Sequence, residues 1–191
     1  MSIFTVVYWL GLAVEVAIRV PVHRARRQTQ TVDRWASRTE VALLNLLSAA
    51  MFFLPLVYSL TPWVDFADYR LPVPAGWAGV VLLAGAVWLF WLSHRDLSSN
   101  WSPTLEIHPG HQLVTSGIYR CIRHPMYASQ WLWVLAQPLL LWNWIAGPAN
   151  LLLFIPFYLL RVRAEEQMML EHFGEQYRRY MQETGAIFPK L

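Results

Sequence analysis

Arg123, His124 and Tyr127 stand close together in the run Gly117-Ile118-Tyr119-Arg120-Cys121-Ile122-Arg123-His124-Pro125-Met126-Tyr127. After an apolar stretch come Arg161-Val162-Arg163-Ala164-Glu165-Glu166. Two clusters of ionisable side chains therefore bracket a hydrophobic segment, and a polar ligand held between them gives both clusters a reason. His124-Pro125 reads as a helix start, because proline favours the first helical position, where its missing N–H costs nothing. A helix N-terminus beside Arg123 suits an anion such as a carboxylate or phosphate. Arg161 and Glu165 are four apart and share one helical face, while Arg163 and Glu166 lie on other parts of it.

Plainer readings exist for each cluster. Arg123 and His124 could anchor a helix at the headgroup layer, and Arg161 with Glu165 could be a surface ion pair of a few tenths of a kcal/mol. Position argues against the second. Arg161 sits where an apolar span ends, and ionisable residues at such depth are functional candidates by default. Between residues 94 and 120 the chain is polar and broken by Pro103, Pro109, Gly110 and Gly117. That is long for a mere connector, and within it His111-Gln112-Leu113-Val114 reads as a short extended piece.

The elements that must position these groups are membrane helices. The 191 residues are 56% hydrophobic and 14% charged, with 11 Trp. Soluble domains carry about 25% charged residues, so the deficit, together with long apolar runs, predicts an integral membrane protein. Five apolar segments are legible, over residues 3–20, 41–60, 77–93, 126–145 and 147–160. The first four approach the ~20 residues of a spanning helix, and the fifth is short. The first, preceded by no basic region and followed by Arg19-Val20-Pro21, reads as a retained span rather than a signal peptide. Trp142, Asn143, Gly147 and Pro148 mark a turn that makes the last two a helical hairpin, whose arms Pro138 and Pro156 bend.

Charge sets the orientation. Of 15 Lys and Arg, all but Arg70 fall on one side of a five-span arrangement, and basic loops stay cytoplasmic. The N-terminus then faces outward, and both ionisable clusters and the C-terminus lie on the cytosolic side. Beyond the last span Leu170, Phe173, Tyr177 and Tyr180 recur at steps of three and four, predicting an amphipathic helix that Thr184-Gly185 ends. The expected fold is thus all-α, with five transmembrane segments, a hairpin for the last two and a cytosolic C-terminal amphipathic helix.

Several classes are set aside. One cysteine, Cys121, excludes an internal disulfide framework. Glu106, His108 and His111 fit no strong metal spacing, so no metal is expected. There is no glycine-rich strand–turn–helix for a dinucleotide. The basic residues 19–38 fit topology and anionic lipid better than nucleic acid.

As an ordered set the motifs resemble the isoprenylcysteine carboxyl methyltransferase family, whose signature is RHPxYxG, a hydrophobic region and then EE. Here it stands as Arg123-His124-Pro125-Met126-Tyr127-Ala128-Ser129, the fourth and fifth apolar segments, and Glu165-Glu166. Ser129 replaces the signature's last glycine. The flanks Leu113-Val114-Thr115-Ser116-Gly117-Ile118-Tyr119 and Phe173-Gly174-Glu175-Gln176-Tyr177 are similar too. The resemblance covers roughly residues 100–191, and the first three spans match only as generic membrane helices.

The resemblance implies S-adenosylmethionine-dependent methyl transfer to the carboxylate of a prenylated cysteine or similar lipid-linked acid at the cytosolic face. The length of 191 residues predicts one domain, so residues 1–191 are expected to form a single membrane methyltransferase domain, with three N-terminal spans in 1–93 and the cofactor loop, hairpin and C-terminal helix in 94–191. Carried over by position, His111, Gln112, Leu113, Val114, Tyr119, His124, Pro125, Met126, Tyr127 and Glu165 bind the cofactor. Arg161 faces the acceptor, and Arg161 and Glu165 are the catalytic pair. The acceptor reaches the site from the bilayer. The same architecture resembles phospholipid N-methyltransferases, where Glu165 or Glu166 would serve as base, and more distantly NADPH-dependent sterol reductases. A non-catalytic membrane protein is the alternative from another class. The oligomeric state is not legible.

Overall fold

The computed structural model describes residues 2–26, 33–34, 37–98, 105–107 and 110–190. Among these residues six α-helices follow one another: α1 (Ile3–Arg26), α2 (Arg38–Leu60), α3 (Val73–Leu97), α4 (Pro125–Leu140), α5 (Ala149–Phe173) and α6 (Glu175–Glu183). A two-residue antiparallel ladder joins β1 (Asp33–Arg34) to β2 (Glu106–Ile107). His108, weighed above as a metal ligand, and Arg27 of the basic stretch lie outside the described residues.

Among the described residues three helices are long and apolar enough to cross a membrane, over Ile3–Pro21, Arg38–Leu60 and Val73–Leu97. α3 lies antiparallel along α4, and the approach is close because the facing residue is small: a Cβ at Gly79 would lie 2.8 Å from Leu139 Cβ. Small residues at such seams let helix backbones approach where lipid supplies no hydrophobic drive. α1 packs on α3, with Phe4 seated over Gly76 and Leu83 over Gly11. The core they share holds Tyr8, Ala86, Trp133 and Leu140. A second core joins α2 to the hairpin through Tyr127, Val134, Phe154 and Phe157.

The hairpin turn is built from polar groups that need partners because they are buried. Asn143 Oδ1 accepts from the N–H groups of Ile145 and Ala146 at 3.0 Å each. Its Nδ2 donates to the Val64 carbonyl at 2.7 Å and to Asp68 at 2.8 Å. Buried Gln137 donates to the Ala146 carbonyl at 2.7 Å and accepts from Asn150 Nδ2 at 2.7 Å. These bonds close the turn over residues 141–148, so α4 has 16 residues and stops short of the segment 126–145 expected from apolarity.

The C-terminal helix also differs from the sequence expectation. Leu170 and Phe173 belong to α5, whereas Tyr177 and Tyr180 belong to α6. Gly174 separates them at φ 53°, where its N–H donates to the Leu170 carbonyl at 2.9 Å. A glycine adopts this left-handed conformation at no Cβ cost, which ends one helix and turns the chain into the next.

Candidate active site

α4 begins at Pro125, with His124 as its N-cap and no side chain capping it. The residues before it are tied to the C-terminal tail. Arg123 N–H donates to the Gly185 carbonyl at 2.8 Å and His124 N–H to the Ala186 carbonyl at 2.9 Å. The Arg123 guanidinium donates to the carbonyls of Met181, at 3.2 Å, and Thr184. α6 fixes the upstream loop as well, because Tyr180 Oη donates to the Tyr119 carbonyl at 2.6 Å. Asp96, near the end of α3, holds the other side of that loop by accepting from Ile118 N–H at 2.8 Å.

The two acidic neighbours on α5 part company. Glu166 Oε1 accepts from Arg123 Nη2 at 3.0 Å and lies 3.1 Å from His124 Nε2. The hydrogen bond with His124, helped by Arg123, holds its carboxyl below the ordinary 4.5 although partial burial opposes this. Glu166 thus clamps α5 to the start of α4. Glu165 Oε2 instead accepts from Tyr127 Oη at 2.5 Å. That same hydroxyl accepts from Arg161 Nε at 2.8 Å, so Tyr127 links the cation of one cluster to the carboxylate on the same α5 face. The Arg161 Nη1 donates to Glu40 Oε1 at 2.7 Å. Its guanidinium also lies 5.5 Å from the Phe157 ring centroid.

One cavity, with about 1510 Å³ of empty space counting its open mouth, runs along these groups. Every residue proposed above for the site lines it. His111, Gln112, Leu113 and Val114 come from the extended piece, Tyr119 from the turn after it, and His124, Pro125, Met126 and Tyr127 from the start of α4. Arg161 and Glu165 come from α5. Glu166 is absent from the lining among the described residues.

Sequence reasoning missed several members. Glu40 was invisible because it sits three residues after Ser37, whose side chain accepts from Glu40 N–H at 3.0 Å. A Ser-x-x-Glu pattern signals a helix start, and nothing local tells that its carboxylate also meets Arg161 on α5. Glu40 reaches the site only through Arg161, whereas Glu15 and Arg19 of α1 line the cavity itself, as do Tyr177, Met168 and Asn150. The four-residue spacing of Glu15 and Arg19 inside an apolar span was a usable signal.

Long apolar helices pack around a cavity lined by cations and carboxylates, and a solved structure has a similar fold. The chain is similar to the solved structure of a eukaryotic intramembrane Ras methyltransferase, with 26% identity and a TM-score of 0.53 over 78% of this chain and 50% of that one. Residues 77–171 match the model of the isoprenylcysteine carboxyl methyltransferase family. That stretch, just under half of the chain, is similar to this family, and the chain is an integral membrane protein.

Among curated relatives, the Tribolium castaneum protein-S-isoprenylcysteine O-methyltransferase is 38% identical over 79 residues, covering 41% of this chain and 28% of that protein. A probable protein-S-isoprenylcysteine O-methyltransferase of Oryza sativa subsp. indica is 24% identical over 158 residues, covering 80% and 83%. The chain thus matches well under two thirds of the length of the insect relative and of the solved structure.

Proposed function

We propose that the chain is an S-adenosylmethionine-dependent methyltransferase that esterifies the carboxylate of a prenylated cysteine or similar lipid-linked acid at the cytosolic membrane face. The observation that carries this is the Arg161–Tyr127–Glu165 chain of hydrogen bonds in one cavity with the start of α4. Among the described residues the donor set fits the cofactor. Glu165 offers a carboxylate to an ammonium, and the uncapped first turn of α4 offers the positive end of a helix dipole to a carboxylate. Leu105, Val114 and Met168 add apolar surface beside them.

When bound, S-adenosylmethionine would supply a methyl group on a sulfonium, and its transfer to a carboxylate oxygen would form the C–O bond of a methyl ester as the C–S bond breaks and a neutral thioether leaves. An acceptor carboxylate is ionised at neutral pH, so no side chain has to remove a proton. Arg161 fixes the carboxylate by a charge-assisted pair, and Glu40 with Tyr127 fixes Arg161. Holding two reactants in line is worth several kcal/mol of barrier. Charge asymmetry supports five spans with the α4–α5 hairpin entering from the cytosolic side. The acceptor then arrives from the bilayer and the cofactor from the cytosol.

Titrating detergent-purified protein with S-adenosylhomocysteine tests the cofactor. Saturable binding is expected, weakened about tenfold or more in Glu165→Gln, since a charge-assisted bond is worth about 1.5–3 kcal/mol. A protein that binds none is not this kind of methyltransferase.

A further inference from the structure

α5 presents a single stripe to the cavity. Asn150, Phe154, Phe157 and Arg161 follow at steps of four, three and four, and all line it. Eleven residues make just over three full turns, so Asn150 and Arg161 share a face roughly 16 Å apart. An acceptor whose carboxylate meets Arg161 therefore lays its chain over Phe157 and Phe154 and ends beside Asn150.

That end is not hydrocarbon. Asn150 is 2% exposed, and its Oδ1 is enclosed without a hydrogen-bond partner among the described residues. The amide cannot simply be turned over. Gln137 must donate to the Ala146 carbonyl, so its own oxygen faces Asn150 Nδ2 at 2.7 Å, and this leaves Asn150 Oδ1 as an acceptor. Glu15 lines the same cavity at 6% exposure, and although the charge of Arg19 acts on its carboxyl, its Oε1 also has no hydrogen-bond partner among the described residues. Enclosed acceptors without donors are costly, and a plain prenyl chain brings no donor to either.

We infer that the lipid-binding limb is built for a chain with a hydrogen-bond donor at its far end, so that the acceptor is a hydroxylated lipid-linked acid whose distal hydroxyl donates to Asn150. This rests on the carboxyl-methylation reading above. Burial of an unmet acceptor selects against the unhydroxylated chain, because the site's polar group stays unpaired when the hydroxyl is missing.

The test compares two thioether acids, S-farnesylcysteine and its counterpart hydroxylated on the terminal carbon, by kcat/KM with labelled methyl donor. The wild-type protein is expected to favour the hydroxylated acid by about tenfold or more, and Asn150→Leu is expected to abolish or invert that ratio. A purely structural role for Asn150 would lower both substrates alike and leave the ratio standing. Equal turnover of the two acids by wild type, or a preference for the plain chain, overturns the inference even if the variant does not fold. Turnover of neither acid, with S-adenosylhomocysteine still bound, overturns the carboxyl-methylation reading and this inference with it.

Discussion

Arg161 of α5 and Glu40 at the start of α2 form a buried ion pair of 2.7 Å, with side chains 8% and 7% exposed. The pair joins elements 121 residues apart and leaves the guanidinium held between Glu40 and Tyr127. Removing one partner of such a pair strands the other charge, which costs about 3–5 kcal/mol. Glu40→Ala is therefore expected to lower the melting temperature in detergent markedly. Glu40→Gln, which keeps an acceptor, should fall between that variant and wild type. If both variants melted like wild type, the pair would hold nothing together.

Tyr127→Phe removes the hydroxyl between Arg161 and Glu165 while keeping the ring that packs 5.7 Å from Tyr158. We expect a loss of kcat/KM of about 10- to 100-fold, from one charge-assisted bond on each side, with little change in melting temperature. Steady-state kinetics beside a thermal melt separate the two effects.

Gly117 stands at φ 60°, and a Cβ there would come within 2.1 Å of Asp96 Oδ2. Gly117→Ala should dislodge the loop that Asp96 holds through Ile118 N–H. The expected result is weaker S-adenosylhomocysteine binding by about tenfold or more, since strain of this kind costs about 1–3 kcal/mol. Isothermal titration of the variant reads it directly.

Glu166 gives a pH dependence. Its carboxyl is held below the ordinary 4.5 by the His124 hydrogen bond first and by Arg123 second. A group whose folded value is depressed contributes stability above its unfolded value, and that contribution is lost as the pH falls through the folded value. The melting-temperature gap between wild type and Glu166→Gln should therefore be full near neutrality and close as the pH drops below about 4.5. A gap that instead widened on acidification would contradict the assignment.

The legible part of this protein was the part written in local pattern. The Asn143–Pro148 turn, the proline start of α4 and the Arg161/Glu165 face all follow from spacing within a few residues. What stayed hidden depends on which helices meet. Glu40 reads as a cap residue until α2 is packed on α5, and Asp96 reads as a helix-end charge until the 111–120 loop folds back on it. The break at Gly174 was missed for a different reason. The apolar spacing from Leu170 to Tyr180 continues through it, although the backbone changes hand there.

The central claim is that the cavity along Arg161, Tyr127 and Glu165 transfers a methyl group to a lipid-linked carboxylate. Its most direct test incubates purified protein with labelled S-adenosylmethionine and S-farnesylcysteine acids, and asks whether the incorporated label is released as methanol by mild base. A base-labile methyl ester is expected to form with wild type and to be reduced at least 100-fold in Arg161→Ala, where the carboxylate loses its charged partner. Label that resists base, or ester formation undiminished in Arg161→Ala, would contradict it.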